Sequence, residues 1–143
     1  MKNLLLPPER RDEWRRLLED NEPTALAIRE SLRNYVDGSL PLTATQNHDL
    51  DQAMHKLILA WIEGDPELSL AGLGELKAVL DAPPHSDLGK GSSALAAVQA
   101  WDFGQALWPE AERREFAGRL AALARSFLEV TPGNPHIVTN NWW

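Results

Sequence analysis

The amino-acid sequence predicts an all-α fold of stacked antiparallel helical hairpins, and three observations carry that expectation. Apolar residues recur at three- and four-residue spacing along most of the chain, and no alternating run is long enough to propose a strand. Proline paired with an acid marks one helix start after another. Two helix pairs also resemble each other residue by residue, which is the mark of a repeated hairpin.

The elements follow in order. Pro7-Pro8 starts a helix through Leu18, and Glu22-Pro23 starts a second through about Val36, halted by Gly38. The strongest pattern runs from His48 to Glu63, where Leu50, Ala53, Met54, Leu57, Ile58, Trp61 and Ile62 share one helical face. Asn47 is its expected N-cap and Gly64 its stop. Asp65-Pro66-Glu67 then supplies a capping carboxylate, a proline at the first helical position and an acid against the helix dipole. That helix extends to about Leu80 with Leu70, Leu73, Leu76 and Leu80 inward, weakened by Gly72 and Gly74 and ended by Pro83-Pro84.

Residues 82–91 are rich in proline, glycine and serine and read as a loop. Ser92 or Ser93 caps the next helix, Ala94 to about Leu107, with Leu95, Val98 and Trp101 inward and Phe103 a further candidate. Pro109-Glu110 opens its partner, with Phe116, Leu120, Leu123, Phe127 and Leu128 on one side. Arg113, Arg114, Glu115, Arg119 and Arg125 fall largely on the other. Three consecutive helix pairs result, spanning 1–130. Ala60-Trp61 before Pro66-Glu67 is echoed by Ala100-Trp101 before Pro109-Glu110. Each pair needs a neighbour to bury its apolar face, so stacking is implied. Residues 131–143 form a second region, an extended polar and aromatic segment in which Pro132 and Pro135 exclude a continuous helix.

Composition narrows the function. A 143-residue chain can bury about two-thirds of its extended surface, enough for one core. With no cysteine there is no disulfide, thiolate nucleophile or Cys-ligated zinc. A formal charge of −7 and the lack of a Lys/Arg block argue against nucleic acid as a partner. Leu4-Leu5-Leu6 is too short for a membrane span or signal core, so the chain as given is expected to be soluble (cytoplasmic as given) and without a membrane partner, while the compartment stays open because a secreted protein can also do without disulfides.

Few residues suggest chemistry. His48 and His55 are two helical turns apart, about 10 Å, too far to share a metal, and no metal or other cofactor is expected. Asp49 and Asp51 fit helix-start electrostatics better than acid–base work. Gly89-Lys90-Gly91-Ser92-Ser93 lacks the full phosphate-loop spacing and a preceding strand. Trp14, Trp61, Trp101 and Trp108 lie on or beside apolar faces and suit core packing. The tail differs: Asn140 and Asn141 offer amides, and Trp142 and Trp143 offer flat rings on which a sugar can stack, with His136 nearby. The alternative is that these indoles plug a gap between hairpins.

Leu4-Leu5-Leu6-Pro7 with Trp14-Arg15 and Leu17-Leu18, Ala60-Trp61-Ile62-Glu63-Gly64-Asp65-Pro66-Glu67, Trp101-Asp102-Phe103 ahead of Pro109-Glu110, and Asn140-Asn141-Trp142 together resemble heparinase II/III-type, alginate lyase-like polysaccharide lyases. The resemblance covers nearly the whole chain. It implies the first part of an incomplete α/α toroid and β-elimination at a uronic acid in an acidic polysaccharide. Asn140 or Asn141 would stabilise the uronate charge, and Trp142, Trp143 and His136 would contribute to substrate binding. Such lyases also use a tyrosine and commonly a histidine further along the chain. Here Tyr35 matches no catalytic motif, so an N-terminal portion, inactive by itself, is expected. A free-standing protein-interaction module is the runner-up, and apolar hairpin faces left uncovered would favour self-association. A toroid-class glycoside hydrolase would need two carboxylates facing one cleft, and no pair recommends itself.

Overall fold

The computed structural model describes residue 7 and residues 9–39, 48–82 and 87–130. All secondary structure among them is helical: α1 Glu9–Glu19, α2 Pro23–Val36, α3 His48–Glu63, α4 Pro66–Asp81, α5 Asp87–Gly104 and α6 Glu110–Val130. They fall into two compact units, α1–α5 in Met1–Pro109 and α6 in Glu110–Trp143.

In the first unit the termini follow local chemistry. Helix α1 closes with Asn21 at φ 55°, a left-handed conformation that asparagine tolerates. Glu22 caps α2 by accepting from the Ala25 amide at 2.7 Å, with Pro23 at the first helical position. Gly38 follows α2 at φ 73°, as its stop signal predicts. Gly64 ends α3 at φ 76°, and Asp65 accepts from the amides of Glu67 and Leu68 at 2.9 and 3.0 Å. Ala82 ends α4 extended (φ −73°, ψ 144°), as a residue before proline must.

Helix α3 is the hub, packing against α1, α2, α4 and α5. Its core residues include the predicted Leu50, Ala53, Leu57, Trp61 and Ile62, but also Leu59 and Ala60. Four consecutive buried residues, Leu59 to Ile62, cover about 300° of a helix. The stretch from Leu59 to Ile62 is therefore enclosed on more than one face, while Glu63 at the helix end is exposed. Trp61 and Ile62 cluster with Leu32 and Leu59, against which Trp14, Leu18, Val36, Ile58, Leu68 and Phe103 pack. Phe103 meets Trp61 edge-on at 5.5 Å between ring centres.

Three sequence expectations are corrected. Helix α5 begins at Asp87, so the second half of the expected 82–91 loop and the caps at Ser92 or Ser93 give way to helix, which ends at Gly104 and not Leu107. Glycines at 89 and 91 cost about 1 kcal/mol each inside a helix, which packing elsewhere can outweigh. Leu95 is 56% exposed, while Ala96, Ala97, Ala100 and Trp101 are buried. In α4, Leu70 is 37% exposed, and the inward stripe is Ser69, Gly72, Leu73 and Leu76. The cause in α4 is close approach: a Cβ on Gly72 would stand 3.0 Å from both the Ala53 carbonyl oxygen and Leu57 Cγ. Small residues at 69 and 72 permit that approach, Leu73 and Leu76 complete the inward face, and Leu70 turns outward.

The turn after α5 brings Trp108 back over Gly104, placing Nε1 2.6 Å from where a glycine Cβ would stand. That nitrogen donates to the fully buried Ser69 hydroxyl at 3.0 Å, tying the turn to α4. In the second unit, α6 starts with Glu110 and Glu112 in its first turn and carries the pairs Arg114–Glu110 at 2.7 Å and Arg119–Glu115 at 3.0 Å. These exposed i,i+4 pairs support the helix weakly. Phe116 and Leu120 are buried, while Arg113, Arg114, Glu115 and Arg125 are exposed, as the pattern predicts.

Gly104→Ala is expected to lower stability by about 1–3 kcal/mol through overpacking. Gly74→Ala, with nothing within 4 Å of a new Cβ, should raise it by about 0.5–1 kcal/mol. Urea denaturation of both variants checks the contrast, and equal shifts would refute it. Ser69→Ala strands a buried indole donor and should cost about 1–3 kcal/mol in the same assay.

Candidate functional site

The residues expected to carry chemistry from the sequence, Asn140, Asn141, Trp142, Trp143 and His136, lie outside the described residues. Asn47, the expected cap of α3, does too. The described residues bring together three other polar groupings, all within the first unit.

The first joins α2 to α3. Tyr35 stacks on His55 with ring centres 4.9 Å apart and planes inclined by 12°. The imidazole Nδ1 is buried and has no hydrogen-bond partner among the described residues. Burial pushes the His55 pKa down, against the upward pull of Asp51 one helical turn earlier. The neutral ring is thus the form that suits this stack. Nothing in the sequence pairs Tyr35 with His55, because their approach is a product of how α2 crosses α3.

The second surrounds the end of α3. Arg11 Nε donates to the Trp61 carbonyl at 2.8 Å, supplying one of the acceptor groups that a helix C-terminus leaves open with a partner. Arg11 and Arg15 both bring Nη2 within 3.0 Å of the point where a Cβ would stand on Gly64. Burial lowers the Arg11 pKa, the neighbouring Arg15 charge lowers it further, and Asp12 opposes both. Arg33 pairs with Glu63 at the same helix end. Spacing of four residues foretells that Arg11 and Arg15 share a face of α1, but not that this face meets Gly64.

The third is the buried knot of Ser69, Trp108 and Gly104, with Trp101 set edge-on to Trp108 at 6.3 Å and Asp102 buried beside it in sequence. Its bonds are internal and its role is packing. Trp61, Trp101 and Trp108 are core residues, and Trp14 is half-buried against the core cluster.

Gly91 and Ser92 lie within α5, so the segment that superficially resembles a phosphate loop is helical. Among the described residues no group of three His, Asp or Glu is arranged to hold a metal ion, and no helix is long and apolar enough to cross a membrane. No known family, curated protein or solved structure matches the chain.

The His55 shift has a definite sign. Folding depresses the pKa, so the unfolded chain takes up the proton more readily. The stabilising contribution is complete above the ordinary value of 6.5, falls as pH drops below it, and levels off beneath the folded-state value. His55→Phe keeps a stacking ring and removes the titration. Its stability should accordingly fall less than that of the wild type between about pH 7.5 and about pH 5, measured by urea denaturation. Parallel pH profiles would refute the assignment.

Proposed function

We propose that this chain is the N-terminal helical portion of a lyase-like protein that acts on uronic-acid-containing polysaccharide by β-elimination. The observation that carries the reading is the Asn140-Asn141-Trp142-Trp143 strip placed after a helical array. A neutral amide can donate hydrogen bonds to a uronate carboxylate as the C5 proton leaves, stabilising the charge that develops, where an aspartate would repel it. Trp142 and Trp143 supply faces for sugar rings, and His136 a further polar contact. The α3–Gly64–Asp65–α4 hairpin supports the reading, because it is the helical unit from which an incomplete α/α toroid would be assembled.

Elimination also needs a base for the C5 proton and an acid for the leaving oxygen. Tyr35 is stacked on His55 and matches no catalytic motif of the lyases, so the chain by itself lacks a proton-transfer pair that can be named. The second reading is a helical protein-interaction module.

The chain is expected to bind uronate oligosaccharides at the asparagine strip, detected by quenching of Trp142 and Trp143 fluorescence, and Asn140→Ala/Asn141→Ala should abolish that quenching. Incubated with alginate or glycosaminoglycans, it should generate no ultraviolet absorbance of an unsaturated uronate. A signal abolished by the asparagine substitutions would overturn the expected inactivity while supporting the site. Failure to bind any uronate would overturn the lyase reading.

A further inference from the structure

We infer that Arg11 and Arg15, converging on Gly64 at the end of α3, form a binding site for a sugar carboxylate. Their Nη2 atoms each lie within 3.0 Å of one point, so they are at most about 6 Å apart. A carboxylate accepting at about 2.8 Å from each guanidinium spans that gap, and charge-assisted bonds of this type are among the strongest that arginine makes.

Two like charges held so close are mutually unfavourable, and an anion between them relieves the repulsion. The acids that flank Gly64 in sequence are engaged elsewhere: Glu63 pairs with Arg33, and Asp65 accepts from the amides of Glu67 and Leu68. Asp12 attracts Arg11 but leaves Arg15 without an ion pair among the described residues. The site is also built. Arg11 is anchored through Nε to the Trp61 carbonyl, and Arg15 is exposed to incoming ligand. Gly64 matters because any side chain there would strike both guanidinium groups. The choice of a uronate over other carboxylates rests on the acidic-polysaccharide reading, whereas the arginine pair does not.

The test titrates sodium glucuronate into the 15N-labelled chain while following the arginine Nε–Hε resonances, with glucose as the neutral control. Arg11 and Arg15 should shift saturably with glucuronate and not with glucose. Arg15→Gln should weaken binding about tenfold or more, with an unchanged helical circular-dichroism spectrum. Arg16→Gln, on the same helix, should bind as the wild type, and so should Asn140→Ala/Asn141→Ala. Absence of a shift, or full binding by Arg15→Gln, overturns the arginine site. Loss of glucuronate binding in the asparagine variant alone also overturns it while supporting the lyase reading. Retained binding at the arginines with no uronate oligosaccharide bound through the asparagines leaves this site standing and removes that reading.

Discussion

Helix α3 ends in a place where much of its backbone is screened from water by packed side chains. Leu59, Ala60, Trp61 and Ile62 are buried in succession, while the carbonyls of any helix C-terminus still need donors. The Trp61 carbonyl receives one from Arg11, a residue fifty positions earlier. Gly64 adopts a left-handed conformation that lets the chain turn at once into α4, and its lack of a side chain leaves room for the two guanidinium groups. The guanidinium groups of Arg11 and Arg15 on α1 also complement the negative end of the α3 dipole. Through this one terminus α1 is held to α3, α4 is set antiparallel beside it, and the cluster around Trp61 and Ile62 is closed.

The other side of α3 is governed by size. Gly72 lies against the Ala53 carbonyl and Leu57, and Ala96, Ala97 and Ala100 form the buried face of α5. Interiors are close-packed, so helices that approach this tightly must present small side chains and turn leucines such as Leu70 and Leu95 outward. Trp108 then fills the space beside Gly104 and satisfies its only donor on Ser69. That hydrogen bond accounts for a polar residue at the start of the buried α4 stripe.

These constraints bear on function through charge and position. The arginines beside the end of α3 also bring two positive charges to a single backbone point, in a chain that is acidic as a whole. Tyr35 and His55 form a second, neutral grouping on the α2 side of α3. Both arise from helix crossings. The amides and indoles of 140–143 need no such crossing to be noticed, because their chemistry is concentrated in consecutive residues. The two kinds of candidate site are therefore legible at different levels.

The sequence by itself determined the helical class, the starts of α2, α4 and α6, the Gly64–Asp65 turn and the strongest apolar face, that of α3. Each depends on residues within a turn or two of one another: proline at a first position, a carboxylate near an amide, glycine at positive φ. Only the tertiary structure decided that α3 would be largely enclosed, that α5 would run on from Asp87, and that Ser69 and the alanines of α5 would be buried where Leu70 and Leu95 are exposed. It alone brought Arg11 and Arg15 to Gly64 and Tyr35 to His55. Periodicity reports how apolar a face is, but the distance of closest approach decides which face fits, and that distance belongs to pairs of helices and not to either one.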